Sequence, residues 1–380
     1  MFERLKLWLV AVILVSLFVY LLPVNHIANY IKYVMYKKTD LLVSLTQVNP
    51  QVKGLCADPA NKLILRVRVR NKSGEAAGNA NVVFSVKDNI GKIYPDSART
   101  DKYGEYLVTY IPPAYNAEQF QKGPIIVTIT AGLYKLDISS SISIGLSPVP
   151  IVFVHGYHED SKIFDNLKEY LSARGFESGT CNYDTVKGVI SSASELGNFL
   201  QQQKQAYISK GLQTSNFDII AHSMGGLVTR YYSCSEDYIN KEDVRKIIFV
   251  SVPQHGSHWA AIGKNYFNDQ GINDLIPESE LFTKIFPSML NKGLNNRIQS
   301  GSILGEFDEV VVPPSASLDE WDIKTEVYTV GENTLTMDNI LNGNILEATN
   351  HKAILNNKKV FERIETMLNT SLPFPSLKKQ

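Results

Sequence analysis

The stretch from Phe217 to Arg230 reads FDIIAHSMGGLVTR, and the rest of the chain can be interpreted outward from it. Residues 217–220 are a short apolar run typical of a buried strand, and residues 226–228 begin a helical pattern. Ser223 lies between them. A strand, a sharp turn and a helix with serine at the turn form a nucleophile elbow, so Ser223 is predicted to be a nucleophile.

Small residues around Ser223 support this interpretation. The usual motif is G-x-S-x-G, and Ala221 replaces its first glycine. We expect positions 221 and 225 to pack against each other, which a branched side chain would prevent. The backbone N–H of Met224 starts the helix and is predicted to donate to a developing oxyanion. The alternative is an ordinary strand-to-helix turn with a capping serine.

Composition excludes several classes of protein. The chain has 380 residues, which suggests two or three domains. Its 38 Lys and Arg balance its 38 Asp and Glu, so the chain has no excess of positive charge that would indicate binding to nucleic acid. The odd count of widely spaced cysteines, Cys56, Cys181 and Cys234, argues against a disulfide framework and a zinc cluster, although a Cys181–Cys234 bridge stays open.

The chain begins with a hydrophobic segment. Leu7–Leu22 is apolar except for Ser16, and as a helix it would span roughly 24 Å, slightly less than a ~30 Å hydrocarbon core. A cleaved signal peptide and an uncleaved anchor both fit. His26 stands three residues before the candidate cleavage residue Ala28, where a small residue is expected, so we predict a membrane anchor over residues 1–28.

Residues 29–147 are predicted to form an all-β domain. Leu65, Val67 and Val69 alternate with arginines, as in a half-buried strand, and turn residues separate several such strands. The stretches 71–86 and 100–106 resemble bacterial immunoglobulin-like domains of surface proteins. This resemblance implies a sandwich that acts as a spacer or a specific binding module, and it places the body of the protein outside the cytoplasm.

Residues 148–380 are predicted to form an α/β domain, because strands and helices alternate after the stiff linker 147–150. Such alternation predicts a mostly parallel sheet with helices on both faces. The predicted strands are Ile151–Val154, Gly179–Tyr183, Phe217–Ile220, Lys246–Val252, the run before Asp308, and Val327–Val330. The predicted helices are Phe164–Leu171, Ser192–Ser209 and Lys352–Leu368.

A serine nucleophile needs a histidine base and a carboxylate that orients it. In this type of fold the chain order is serine, acid, histidine. Besides His351, only His255 and His258 follow Ser223, and they lie too early to have the acid strand before them. His351 is therefore the predicted base.

Asp308 is the predicted acid, because it follows an apolar run and precedes Val310-Val311-Val312. Glu306, Asp319 and Asp322 are its rivals, and the last two fit a solvated helix face better. The corner His155-Gly156-Tyr157 follows the first strand of the domain, so the N–H of Tyr157 is the predicted second oxyanion donor.

Five motifs together resemble those of bacterial α/β-hydrolase lipases and esterases, in the same order. They are VFVHGY, AHSMGG, VSVPQHGS, GEFDEVVVPPSASL and NHKAILNN, and the resemblance covers about residues 148–370. It implies an α/β-hydrolase fold, catalytic Ser223, Asp308 and His351, and oxyanion donors at Tyr157 and Met224. No metal or cofactor is carried over. The long gap between Asp308 and His351 predicts an insertion near Thr334–Leu346 on the acyl side.

The sequence thus predicts a membrane-tethered carboxylic-ester hydrolase that acts on an ester of a lipid or other apolar alcohol. An acyltransferase or a lipid-deacylating relative would use the same triad. A surface adhesion or structural protein with an incidental hydrolase domain is the alternative from another class. No protein partner is indicated.

Residues 260–300 are longer than a minimal hydrolase requires at this point of the chain. Apolar pairs at helical spacing, such as Leu281-Phe282 and Ile285-Phe286, predict two short helices. They form either a cap over the acyl pocket or a packed part of the core.

Overall fold

The structure, a computed structural model, describes residues 40–115, 125–332 and 349–378. These divide into two compact units with a boundary between Ser147 and Pro148, and Tyr115 belongs to the second unit. The predicted anchor, residues 1–28, and the predicted insertion, residues 334–346, lie outside the described residues. Within the described ranges, no helix is both long and apolar enough to cross a bilayer.

The amino-terminal unit consists of two β-sheets. Its strands are β1 (Leu41–Gln47), β2 (Gly54–Cys56), β3 (Leu63–Asn71), β4 (Asn81–Val86), β5 (Lys92–Tyr94), β6 (Ser97–Arg99), β7 (Glu105–Ile111), β8 (Ile125–Leu133) and β9 (Ser139–Ser147). One sheet has the antiparallel order β1-β3-β7-β5. The other has the order β2-β9-β8-β4-β6, in which only the β2–β9 pair is parallel.

The alternation in β3 has the predicted effect on burial. Leu65, Val67 and Val69 are fully buried, whereas the side chains of Arg66 and Arg68 are 36% and 40% exposed. Successive side chains of a strand point to opposite faces, so one face of this sheet is core and the other is solvated. The resemblance of this unit to immunoglobulin-like domains stays a prediction.

The carboxy-terminal unit is built on a six-stranded parallel sheet. Its strands are β10 (Ile151–Val154), β11 (Ser178–Cys181), β12 (Phe217–His222), β13 (Val244–Val250), β14 (Gln299–Gly305) and β15 (Thr325–Tyr328). The order is β11-β10-β12-β13-β14-β15, and every neighbouring pair is parallel. The predicted parallel sheet is confirmed.

The helices of this unit are mostly short. They are α1 (Asp165–Ser172), α2 (Gly188–Ser209), α3 (Met224–Cys234), α4 (Glu236–Ile239), α5 (His258–Gly263), α6 (Gln270–Asp274), α7 (Phe286–Ser288), α8 (Pro313–Ala316), α9 (Thr349–Ala353) and α10 (Lys358–Asn369). A π-helical turn, Leu281–Ile285, leads into α7.

Strand β10 explains why helices cover both faces of the sheet. Val152 and Val154 pack into one apolar cluster with residues of α2 and α3. Ile151 and Phe153 pack into a second cluster with residues of α1 and α10. Because all four residues of the strand are buried, the strand is a continuous apolar run, as expected for parallel sheets.

The order of the strands fixes the position of the site. From β10 the chain moves outward to β11, and it then returns to β12 on the other side of β10. Ligands bind at such a switch point, beyond the carboxyl ends of the strands. His155-Gly156-Tyr157 and Ser223 follow the carboxyl ends of β10 and β12 and therefore meet there.

The closing helix predicted over Lys352–Leu368 is present, but it begins six residues later, at Lys358, and ends at Asn369. The chain forms α9, a 3-10 turn over Ile354–Asn356, and only then α10. The side chain of Asn357 accepts hydrogen bonds from the backbone N–H groups of Lys359 and Val360, which makes it the N-cap of a new helix. The possible Cys181–Cys234 bridge is wrong, because both cysteines are free.

A buried lysine attaches the end of α10 to the sheet. Lys246 of β13 donates from Nζ to the backbone carbonyls of Met367, Leu368 and Thr370, at 2.6, 3.0 and 2.8 Å. Carbonyls at a helix carboxyl end lack partners within the helix and attract positive charge. Burial lowers the pKa of Lys246 to about 8.

The segment that follows α6 is part of the core. Leu281 and Phe286 are buried in the same cluster as α3. The Arg230 guanidinium lies 4.0 Å from the Phe286 ring centroid, and it donates to the carbonyls of Lys292 and Gly293 at 3.0 and 2.8 Å. These contacts support the core alternative and not a cap over the acyl pocket.

Candidate active site

The elbow has a strained serine at its apex. Ser223 has φ 50° and ψ −128°, a backbone conformation that residues other than glycine rarely adopt. A Cβ added to Gly225 would lie only 2.3 and 2.5 Å from the carbonyl oxygens of Val154 and His155. The expected packing of position 225 against Ala221 is therefore not its tightest contact. Glycine is needed there because α3 approaches the end of β10 closely.

The structure brings the predicted acid and base into direct contact. The Nδ1 atom of His351 lies 3.0 Å from Oδ1 and 2.9 Å from Oδ2 of Asp308. Asp308 Oδ1 also accepts from the N–H groups of Val310 and Val311, at 3.0 and 2.8 Å. The Nε2 atom of His351 is buried and has no hydrogen-bond partner among the described residues. His351 lines the same cavity as Ser223.

Burial and charge act in opposite directions on this pair. Burial raises the pKa of Asp308, but the charge and hydrogen bond of His351 outweigh it, so this pKa lies below its usual value. Burial would lower the pKa of His351, but Asp308, followed by Glu159 and Glu309, raises it above the usual value. The carboxylate therefore stays ionised and the imidazole becomes a stronger base.

The rival acids lie elsewhere. A carboxylate oxygen of Glu306 accepts from Thr329 Oγ1 at 2.7 Å. Asp319 and Asp322 are exposed, as predicted for a solvated face. Among these four carboxylates, Asp308 is the one that bonds to His351, and its catalytic role stays a prediction.

The predicted oxyanion donors belong to two elements, the loop after β10 and the start of α3. Tyr157 lines the cavity, and its hydroxyl donates to Asp269 Oδ2 at 2.5 Å, which attaches the loop after β10 to the start of α6. Met224 is the first residue of α3, where backbone N–H groups have no partner within the helix. Tyr157 shares the cavity with Ser223 and Met224 follows Ser223 in the chain, and the oxyanion role of their backbone N–H groups stays a prediction.

Glu309, which was not predicted from the sequence, holds the backbone at the start of α9. Its carboxylate accepts from the N–H of Asn350 at 3.0 Å and from the N–H of His351 at 3.2 Å. The Asn350 amide donates in turn to the carbonyls of Phe307 and Glu332, at 2.9 and 2.7 Å. The adjacent carboxylates at 308 and 309 were the only signal for this role.

Glu159, which lines the cavity, and His222, which does not, were not predicted from the sequence. Glu159 Oε2 accepts from the N–H of Gly156 at 2.6 Å and lies 2.9 Å from His222 Nδ1. His222 Nε2 lies 3.1 Å from the carbonyl oxygen of His351. These contacts connect the loop after β10, the elbow and α9.

The cavity beside Ser223 is small and mainly apolar. Its volume is about 200 Å³, and its apolar wall comes from Tyr157, Pro253, Trp259, Ala260, Phe267, Leu275 and Val310. A larger cavity of about 650 Å³ lies among α2, α3 and α4, and none of the predicted site residues lines it. Within the described residues, no three His, Cys, Asp or Glu side chains are grouped to bind a metal.

Comparison with protein families matches the middle and end of the carboxy-terminal unit. Residues 189–364 match a family model described as "PGAP1-like alpha/beta domain". This range contains Ser223, Asp308 and His351 but not Tyr157. Together with the parallel sheet, the match gives the carboxy-terminal unit an α/β-hydrolase fold.

Comparison with solved structures finds likenesses at low identity. The mature Bacillus licheniformis lipase BlEst2 is 14% identical with a TM-score of 0.44, over 58% of this chain and 92% of that chain. Phospholipase PlaB from Legionella pneumophila is 16% identical with a TM-score of 0.33, over 42% and 40%. The D0–D1 domain of intimin is 14% identical with a TM-score of 0.23, over 29% and 50%.

Proposed function

We propose that this protein is a serine hydrolase that cleaves carboxylic esters of lipids or other apolar alcohols. The observation that carries the proposal is the buried His351–Asp308 hydrogen bond, whose histidine shares a cavity with Ser223 at a strained elbow. The match of residues 189–364 to an α/β family model agrees with it.

In the proposed reaction, Ser223 Oγ attacks the ester carbonyl while His351 Nε2 takes its proton. The carbonyl oxygen becomes an oxyanion, which accepts hydrogen bonds from the N–H groups of Tyr157 and Met224. Collapse of this intermediate breaks the bond to the alcohol oxygen, and His351 returns the proton to it. A water molecule, deprotonated by His351, then attacks the acyl-enzyme and releases the acid.

The preference for an apolar ester rests on the walls of the cavity. Aromatic and aliphatic side chains form most of its lining, and burial of an acyl chain against them contributes about 25 cal/mol per Å². Near the nucleophile, the charged groups are those of the catalytic machinery and Glu159, with Lys352 at the edge of the lining.

A fluorophosphonate probe and p-nitrophenyl esters test the proposal. The wild-type chain should be labelled and should hydrolyse the esters. Ser223→Ala should remove labelling and reduce turnover on the order of 10⁴-fold or more, because the nucleophile is lost. Ser288→Ala is the matched control, because Ser288 lies outside the cavity. Retention of more than about a tenth of the turnover by Ser223→Ala would exclude this nucleophile.

We also propose that residues 1–28 tether the protein to a membrane, with the catalytic unit outside the cytoplasm and an immunoglobulin-like unit as spacer. The apolar run Leu7–Leu22 supports the tether. The two-sheet architecture of residues 40–114 and 125–147 is compatible with the spacer.

A further inference from the structure

Glu159 is a third buried carboxylate at the site, after Asp308 and Glu309, and the proposed reaction does not use it. Its side chain is only 6% exposed although it lies in the loop after β10. It lines the cavity together with Ser223 and His351. A Cβ added to Gly156 would lie 2.6 Å from Glu159 Oε2 and 2.8 Å from Ser223 Cβ, so both side chains crowd the same glycine.

A carboxylate at this position would oppose the reaction if its charge were unbalanced. Gly156 immediately precedes Tyr157, the proposed oxyanion donor, so a negative charge on Glu159 lies near the site where the oxyanion develops. Like charges at short range in a buried site repel strongly. A buried ionised carboxylate is also costly unless it is paired.

His222 supplies the balancing charge. Its side chain is fully buried, and both ring nitrogens face acceptors: Nδ1 faces the Glu159 carboxylate and Nε2 faces the His351 carbonyl. A histidine donates from both nitrogens only when the ring carries both protons. Burial raises the pKa of Glu159, but the charge and hydrogen bond of His222 lower it below its usual value. The two acceptors on opposite sides of the ring fit an imidazole that carries both protons beside an ionised carboxylate.

We propose that Glu159 and His222 form a buried, charge-balanced pair of positioning residues. The pair fixes the loop after β10, which carries Gly156 and Tyr157, against the backbone of the proposed catalytic histidine, His351. Glu159 holds the Gly156 peptide, and His222 holds the His351 carbonyl. Neither touches the substrate in this scheme. The inference rests on the proposed hydrolase function and adds two residues to its machinery.

The pair also affects the catalytic base through space. The charged groups that face His351 are Asp308 and Glu309 from the loop after β14, Glu159 from the loop after β10, and His222 from the elbow. Asp308 raises the pKa of His351 most, and Glu159 raises it further. Removal of the Glu159 charge should lower this pKa, and removal of the His222 charge should raise it.

The test measures the rate of fluorophosphonate labelling and kcat/KM for p-nitrophenyl butyrate against pH, on the full chain. The variants are Glu159→Gln, His222→Gln and the double variant. Glu365→Gln is the matched control, because Glu365 also pairs with other residues but does so on α10, where it accepts from Arg174 and Tyr170. Melting temperature is recorded for each variant.

We expect His222→Gln to lose about 10- to 100-fold in kcat. The acid limb of its pH–rate profile, where activity rises as His351 loses its proton, should move to higher pH. Glu159→Gln should move the acid limb to lower pH. The double variant should recover part of the loss, since it removes both charges. If the single variants fail to fold and the double variant folds, the balanced pair is supported, because a lone buried charge is what destabilises them.

If the losses in kcat of the two single variants add up in the double variant and the acid limbs do not move, the charge-balanced pair is excluded. The residues would then make only a structural contact. The same holds if the double variant is as unstable as the sum of the single variants. Wild-type protein that neither reacts with the probe nor hydrolyses esters would overturn the proposed function itself. A failed pair and a failed function are thus distinguished by the wild-type arm.

Discussion

At the scale of single residues, the most unusual group is Ser223, whose φ of 50° places it where side chains are strained. Such a conformation costs about 1–3 kcal/mol and persists only where its surroundings hold it. Here the N–H of Ser223 donates to the carbonyl of Val250, and the carbonyl of Ser223 accepts from Gly226. The turn is fixed by backbone contacts, so Ser223→Ala should keep the fold.

Asp308 should control both the rate and the pH dependence of the reaction. The base must be unprotonated to act, so kcat/KM should rise as pH increases through the pKa of His351, which lies above its usual value. Asp308→Asn removes the charge that raises this pKa most. The acid limb should then move to lower pH, and kcat should fall by about 10⁴-fold. A pH–rate profile measures both effects.

Two controls limit that prediction. Adding Ser223→Ala to Asp308→Asn should cost little more, because the triad acts as one unit. Glu306→Gln should change the rate by less than about twofold, since Glu306 bonds to Thr329 and not to the histidine. A silent Asp308→Asn with a severe Glu306→Gln would transfer the acid to residue 306.

The sequence allowed the triad to be predicted because chain order eliminates the other histidines. It did not allow Glu159, His222 or Glu309 to be predicted. Glu159 and His222 are 63 residues apart, and His222 and His351 are 129 apart. Their contacts exist only because parallel strands bring their carboxyl ends to one edge. A carboxylate in a loop is usually solvated, so nothing in the sequence indicated that Glu159 and Glu309 are buried.

At the scale of elements, Phe286 is a residue of the packed core and Phe267 is a residue of the proposed acyl pocket. Phe286 is 2% exposed and packs in the core, so Phe286→Ala should destabilise the protein by about 3–5 kcal/mol with unchanged ester preference. Phe267 is 39% exposed and lines the cavity, so Phe267→Ala should change the preference between short and long esters at little cost in stability. Melting temperatures and ester series on both variants measure this contrast. If Phe286→Ala changed the preference between short and long esters, the alternative of a cap over the acyl pocket would be supported instead.

The prediction for this segment failed to choose between its alternatives for a physical reason. Apolar pairs at helical spacing indicate that a face is buried, but not what buries it. The partner is Arg230, whose guanidinium is enclosed by Phe286 and Trp321 and donates to backbone carbonyls. An arginine inside a helix pattern reads as a solvated residue, so this contact was not predictable.

The closing helix shows the same limit. Lys352 to Leu368 has apolar residues at helical spacing, and the pattern suggested one element. The Asn357 cap divides it, and His351 lies in α9, before this cap. An asparagine before two lysines is compatible with both a helix interior and an N-cap. Tertiary contacts of α9 with Glu309 decide between them.

At the scale of the whole molecule, the proposed tether predicts where a protease can act. Protease added to intact cells that express the full chain should remove the catalytic unit, because the unit would lie outside the cytoplasm. Membranes should retain a fragment that contains residues 1–28. Immunoblotting of both fractions measures this. A catalytic unit that is cleaved only after lysis would contradict the topology.

The attachment of α10 through Lys246 has a consequence for synthesis. Lys246 leaves the ribosome 121 residues before Met367, whose carbonyl it binds. Until then the lysine lacks its acceptors, and one face of the sheet is covered by α1 without α10. All six strands of the parallel sheet are therefore synthesised before α10, and the sheet is joined to this helix only after residue 370 has emerged.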